Sequence, residues 1–406
     1  MSKILIVSDY KDKIWWVETY IYDLKKILEK NWHVVKIFWW KWNSRYKRWF
    51  FVFLSIFNFK KSNEIKKLIE EFQPDLIWCH SVSRYLGHKV LEQINKFTAI
   101  KIITYHDLWY FAGFANKVFT EQDIPEKFEL SNFLKRSKKA YWLYVMFKFL
   151  KLSYIRKQLQ KFDIHTVPSK FMLKYVIKHN YWEEKKVKIL PNFILKEKIW
   201  ERQNIMQDKI NFIFFGRLEK EKWIWFIIYF LSELRELKFK DRKKYEKIKN
   251  KVRFFIFWNW AKKKDLLNIF TWTNLHWEDI WFVQNLENCK IDLNELNKNK
   301  IVYYFWTRDF ETIKKFLSFS HYNLVPSLFL ETFWLSAAEA CANKVVNIWF
   351  DKPNITNFIL PDYKICWNNL SENFSKKMFD IIENFNKTNR ENDSKKSFNL
   401  VSNFII

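Results

Sequence analysis

Three glycines in 406 residues leave the chain almost nowhere to turn through positive φ without strain. Average usage would supply roughly 28. Tryptophan, at 23, is in excess by a similar margin, and its positions follow the deficit. Trp15-Trp16 falls between a strand pattern and a helix pattern, and Trp258-Asn259-Trp260 does the same. Trp32 ends a helical pattern at the C′ position, which favours glycine. These positions are expected of UGA codons that the source organism reads as glycine and that are written here as tryptophan. The alternative is a chain rich in genuine tryptophan, which UGG codons at Trp15, Trp16, Trp32 and Trp334 would establish.

The remaining composition bounds the class. Hydrophobic residues at 49% and charged residues at 28% exclude intrinsic disorder, and the length calls for two domains. The longest apolar stretch, Trp49 to Phe57 with Ser55 inside it, is far short of the ~20 residues of a bilayer span. Met1-Ser2-Lys3 leads straight into the strand-like Ile4-Leu5-Ile6-Val7, unlike a signal peptide. Cys79, Cys289, Cys341 and Cys366 show no C-x-x-C spacing, against a disulfide framework or a zinc site. A cytoplasmic globular chain is expected. The net charge of +27 favours acidic partners, whether phosphate, nucleic acid or anionic lipid. Lysine and phenylalanine also dominate as they do in products of A/T-rich genomes, so the charge narrows the partners without choosing one.

Strand and helix patterns alternate, which implies parallel sheets covered on both faces. The strand-like runs of the first half are Lys3–Ser8, His33–Phe38, Asp75–His80, Ile100–Tyr105, Asp163–Val167 and Lys186–Leu190. Pro191-Asn192 opens a polar stretch to about Lys209. The pattern then restarts with Ile210–Phe215, Val252–Phe257, Ile301–Phe305, Tyr322–Val325 and Lys344–Ile348. The fold class is therefore α/β. The expected domains are 1–190, with a hinge at 191–209, then 210–385, and a tail at 386–406 that is a candidate to return to the first domain. Lys387–Lys396 is polar and reads as loop.

The densest chemistry lies in Pro326-Ser327-Leu328-Phe329-Leu330-Glu331-Thr332-Phe333-Trp334-Leu335-Ser336-Ala337-Ala338-Glu339. It follows a strand and opens a helix, with two carboxylates eight residues apart. With glycine at Trp334, the amides of Phe333 to Leu335 would face a bound anion at the helix N-terminus. An isolated pair of glutamates reads equally as a solvated helix face. His106 follows a strand at its C-terminal end, where open α/β sheets bind ligands, and a packed histidine is the alternative. Ser169 opens a helix and reads as an N-cap or a site residue. Arg45–Lys61 and Lys135–Lys161 mix lysine and arginine with aromatics, as basic amphipathic helices on anionic membranes do; core helices with lysines outside are the alternative.

Taken in order, these segments resemble the retaining family 4 glycosyltransferases. Glu331 to Glu339 resembles that family's E-x₇-E motif, and Gly216-Arg217-Leu218-Glu219-Lys220-Glu221-Lys222-Trp223 its G-R-L-x-x-x-K-G segment. Trp258-Asn259-Trp260 is similar to its G-x-G turn, Val187–Asn192 to V-x-x-x-x-N, Asn31–Val35 to G-H-x-V, and Ile14–Glu18 to the N-terminal G-G-V/A-E loop. The departures at these glycines are tryptophans. The resemblance implies the GT-B fold of two facing Rossmann-like domains and transfer of a hexosyl-type sugar, with retention, from a nucleotide diphosphate to a polysaccharide or lipid-linked acceptor. It implies that Arg217 and Lys222 hold the diphosphate and that Glu339 accepts the ribose hydroxyls. Glu331 would support the transferred sugar, with Thr332, Phe333, Trp334 and Leu335 around the donor and the Trp15-Trp16 loop against its phosphates. His106 would face the sugar or acceptor. No metal or other cofactor is expected, since no Asp-x-Asp occurs and the basic pair offsets the leaving charge. The expected place is the cytoplasm at the inner face of the plasma membrane, in cell-envelope polysaccharide synthesis, with peripheral contact to anionic lipid and none to nucleic acid. The competing readings are a basic nucleic-acid-binding protein and an inactive scaffold of the same fold.

Overall fold

Strand β1 (Lys3–Ser8) is buried from Ile4 onward on both of its faces. A strand without a polar face has to lie within a sheet covered on both sides. It pairs in parallel with β2 (Val34–Trp39) on one edge and with β3 (Leu76–Cys79) on the other. β4 (Ile100–Thr104), β5 (Ile164–Val167) and β6 (Val187–Ile189) extend the sheet in parallel, in the order β2-β1-β3-β4-β5-β6. A second parallel sheet contains β7 (Ile210–Gly216), β8 (Val252–Trp258), β9 (Ile280–Val283), β10 (Val302–Trp306), β11 (Tyr322–Leu324), β12 (Val346–Phe350) and β13 (Lys364–Ile365). Its order is β13-β12-β11-β7-β8-β10-β9.

The computed structural model describes residues 1–9, 16–39, 58–83, 85–112, 121–124, 127–135, 141–178, 183–203, 209–216, 225–258, 280–283, 300–306, 310–325, 330, 332–351, 356–366 and 369–406. The chain divides into two units. One is Met1–Asn192 with Leu330–Phe333, and the other is Phe193–Phe329 with Trp334–Ile406. The first core is mainly aliphatic, with Leu5, Val7, Ile65, Ile77, Ile103 and Val167 at its centre. The second is built on rings: Phe257 stacks on Phe305 at 4.6 Å, and Phe316 meets Phe255 edge-on at 5.0 Å. Such pairs add to the area they bury.

Two sequence expectations change in the structure. Lys387–Asn399 is a helix, not a loop. Asn386 caps it by accepting from the amides of Thr388 and Asn389. Its buried side chains are Arg390, Ser394 and Ser397, so the inward stripe has helical spacing but no apolar residue. The Arg390 guanidinium donates to the carbonyls of Ser320 and Lys344, both at 3.2 Å. Beyond this helix the last residues pair with 194–196: Ile194 donates to the Phe404 carbonyl, and Lys196 to that of Ile406. The second change concerns Trp258, which is the last residue of β8, in register with Gly216, and is not a positive-φ turn. Asn259 and Trp260 lie outside the described residues.

Trp32 agrees with the expectation. The helix Trp16–Lys30 ends with Trp32 at φ 64, where its amide donates to Glu29 and that of His33 to Leu28. This is the Schellman arrangement, with the left-handed residue at C′. The indole is 84% exposed and recovers little of the cost of a Cβ in that region. Trp32→Gly should therefore stabilise the chain by about 1 kcal/mol, read as a higher denaturant midpoint at unchanged m-value. A lower midpoint would show that the exposed indole contributes more than the backbone strain removes.

Candidate functional site

In the first sheet the chain leaves β1 for β2 on one side and then returns to β3 on the other. The C-terminal ends of β1 and β3 flank the resulting crevice, the usual ligand position in an open α/β sheet. Asp9, just after β1, is buried, and its Oδ1 accepts from the amides of Tyr85 and Leu86 at 2.9 and 2.8 Å. The Tyr110 hydroxyl accepts from the Val82 amide at 3.2 Å and donates to the His80 carbonyl at 3.3 Å. These bonds hold the segment beyond β3.

His106 lies beyond β4, as expected, and its imidazole points into the protein. It is buried against His80, which follows β3, with Nε2 of His106 2.9 Å from Nδ1 of His80 and the rings stacked at 5.2 Å. One nitrogen donates and the other accepts. Tyr20, from the helix Trp16–Lys30, meets both rings edge-on at 5.8 and 5.2 Å. Trp78 stacks on His80 at 5.7 Å and donates its indole N–H to Thr104 Oγ1 at 2.8 Å. Burial lowers the His106 pKa to about 3, and burial together with His106 holds His80 well below the ordinary range. At neutral pH both rings are uncharged, so the pair can pass a hydrogen bond but not carry a cation. Thr332 Oγ1 donates to the His106 carbonyl at 2.5 Å, so one residue of the glutamate-rich motif is fastened to this cluster.

In the second unit the helix Leu335–Ala342 carries the other end of that motif. Trp334 is its N-cap and Leu335 its first residue, with no side-chain bond to the free amides of the first turn. Phe333 and Trp334 are buried. The Trp334 indole N–H donates to Ser336 Oγ at 2.7 Å and the ring meets Trp349 edge-on at 5.7 Å, so the indole lies beside the first turn. Glu339 is buried one turn further along, with its carboxylate 3.9 Å from Lys198 Nζ. Asn343 joins the two segments, accepting from the Trp200 amide at 2.9 Å and donating to the Glu339 carbonyl at 2.9 Å. Asn347 on β12 donates to the Ala337 carbonyl at 3.0 Å and accepts from Asn323 at 2.7 Å, which holds the helix against the sheet.

Trp15, Arg217, Lys222 and Glu331 lie outside the described residues. Trp16 is the first residue of its helix. Ser169 acts as an N-cap, accepting from the Met172 amide at 3.3 Å. Sequence reasoning missed His80 and Lys198. His80 carried a usable signal, since it ends a strand as His106 does; Lys198 belongs to no motif.

The neutral imidazoles give the fold a pH dependence. Once unfolded, His80, His106 and also His165, held near 3 by burial, return toward about 6.5. Between about 6.5 and 3 the unfolded chain therefore binds more protons, and stability falls as pH is lowered through that window. Urea unfolding at about pH 7.5, 6 and 5 should show a falling midpoint, with a shallower fall in His106→Gln. A midpoint independent of pH would place these rings in water.

Residues 17–197 match the family described as Glycosyltransferase Family 4. No curated protein matches the chain in sequence. Among solved structures, sucrose-phosphate synthase from Thermosynechococcus elongatus is similar over 100% of this chain and 95% of its own, at 13% identity and TM-score 0.66. A glycosyltransferase from Rickettsia africae is similar over 99% of this chain and 94% of its own, at 12% identity and TM-score 0.64. Anabaena HepE, in complex with UDP, is similar over 100% of this chain and 95% of its own, at 12% identity and TM-score 0.60. The chain thus has the α/β fold of the GT-B glycosyltransferases, and its residues 17–197 are similar to the Glycosyltransferase Family 4 domain.

Proposed function

We propose that the protein transfers a sugar from a nucleotide diphosphate to a polysaccharide or lipid-linked acceptor with retention of configuration. The observation that carries this reading is the placement of Glu339. Its carboxylate is buried on a helix that begins beyond a parallel strand, next to one lysine and held in place by Asn343 and Asn347. A carboxylate so placed accepts from two vicinal hydroxyls, which suits a ribose. The UDP bound by Anabaena HepE is a ligand of that kind. The amides of Phe333, Trp334 and Leu335 would serve the phosphates, and Arg217 and Lys222 the diphosphate charge as it develops, without a metal. Glu331 would support the positively charged sugar centre, and Thr332 would fix the segment that carries it. His106 would act on the sugar or acceptor as a neutral donor or acceptor, oriented by His80. Contact with an anionic membrane belongs to this reading, because a lipid-linked acceptor is presented there. Nucleic-acid binding is disfavoured by the rings of the second unit, where Phe255, Phe257, Phe305 and Phe316 stack within the core.

The same reading holds that most tryptophans are glycines in the native protein. Trp32 in the left-handed region supports it, as does Trp349, whose fully buried indole N–H has no hydrogen-bond partner. Trp334 at the helix N-cap does so as well, since a side chain there competes with phosphate for the first turn.

UDP or ADP at saturating concentration should raise the melting temperature of the glycine-restored chain, and a single-stranded oligonucleotide should not. Glu339→Ala should weaken nucleotide binding about tenfold or more. An equal response to oligonucleotide, or an unchanged affinity in Glu339→Ala, would count against the site. The anomeric proton coupling of the product should match that of the donor, and an inverted product would refute retention. Activity should survive a chelator; loss restored by magnesium would remove the basic pair from its assigned role.

A further inference from the structure

The helix Trp142–Leu159 buries two lysines on its inner face and exposes an apolar stripe on its outer one. Lys148 and Lys151 are buried, with Lys148 Nζ 3.7 Å above the Trp109 ring, alongside Val145, Leu152, Ile155 and Leu159. Its outer face carries Leu143, Met146, Leu150 and Tyr154, exposed by 68, 42, 48 and 51%. Steps of three and four residues place these side chains in one stripe, about 16 Å long at the helical rise. Tyr141 and Trp142 lie exposed at one end of the stripe, and Lys157 continues it at the other. A helix facing water has the opposite arrangement.

The charge around the stripe narrows what can cover it. From Leu130 to Phe162 the chain has no acidic residue and nine basic ones. Lys135, Lys157 and Lys161 are exposed. The helix Gly87–Ile94 packs beside the stripe, with His88 stacked on Tyr154, and its Glu92 is paired with Lys89, so the border of the stripe stays net positive. Nucleic acid would be met by cations along the groove, whereas here the middle of the stripe is apolar and the exposed lysines flank it. An apolar stripe with aromatic side chains and lysines at its borders is what a helix lying in the plane of an anionic bilayer surface presents to it. Among the described residues no helix is long and apolar enough to cross a membrane.

We propose that this face of the first unit docks on anionic lipid, with the helix in the plane of the interface and Leu143, Met146, Leu150 and Tyr154 inserted. The proposal deepens the membrane contact of the reading above and assigns it to a surface. It is tested by flotation of the full chain with vesicles of phosphatidylcholine alone or with about 30% phosphatidylglycerol. The chain should float only with the anionic vesicles, and less so in high salt. Leu143→Asp with Leu150→Asp should lower the bound fraction about tenfold while the melting temperature is kept. Lys157→Glu with Lys161→Glu should remove the salt-sensitive part. Phe239→Asp, at an exposed ring of the second unit, should change nothing. No flotation of the unaltered chain, equal binding to both vesicles, or equal binding by the Leu143/Leu150 variant would overturn the proposal. A dimer in solution that the same variant dissociates, without flotation, would assign the stripe to self-association instead. The melting response to UDP is read separately: its loss speaks against the donor site and leaves the vesicle result standing.

Discussion

Parallel pairing with both faces buried is the constraint on which the rest of this structure depends. Parallel strands cannot be joined by a tight hairpin, so each is followed by a long connection, usually helical, that returns the chain to the same edge. All C-terminal strand ends of a sheet then lie together, and side chains just beyond them become neighbours whatever their distance in sequence. His80 and His106 meet because β3 and β4 are adjacent, with Cys79 opposite Ile103. Glu339 owes its place to the same rule, on a helix that starts after β11.

Much of this was legible in the sequence. Lys3–Ser8 agrees to the residue, and the helix Trp16–Lys30 outlasts the apolar stripe read from Val17 to Leu28 by one residue at its start and two at its end, because periodicity reports burial and helices outlast the part they bury. Legibility ended where the interior is polar. Arg390, Ser394 and Ser397 bury a face that hydropathy reads as solvent, and the guanidinium, held down to about 9 by burial, is satisfied by backbone carbonyls of Ser320 and Lys344. Lys148 and Lys151 deceive in the same way from the other direction. A pattern in which lysine marks the outside places these two on the wrong face of Trp142–Leu159.

The candidate site was legible by order and not by contact. Motif spacing places Glu339 and His106 on their elements, but it contains nothing about Lys198, which reaches Glu339 from a polar segment without periodicity. Lys198 Nζ stands 3.9 Å from that buried carboxylate. The left-handed residues show a comparable limit. Trp32, Gln73, Lys344 and Asn369 all have positive φ, and only Trp32 stood out in a sequence short of glycine. Lys344 repeats the helix ending seen at Trp32, with its amide bonded to Cys341 and that of Val345 to Ala340.

The pairing of Ile194 with Ile405 bears on the order in which the chain is completed during synthesis. The Ile194 amide bonds the Phe404 carbonyl at 2.8 Å, and the Ile406 amide returns to the Ile194 carbonyl at 2.9 Å. About 210 residues separate the two strands of this bridge, so its loop-closure entropy is met only when residues 404–406 have been made. Until then the stretch following Asn192 keeps open backbone donors and acceptors while the ribosome makes the whole second sheet. A nascent chain therefore carries an unsatisfied strand edge through about the second half of the synthesis of these 406 residues, where a chaperone has the most to shield.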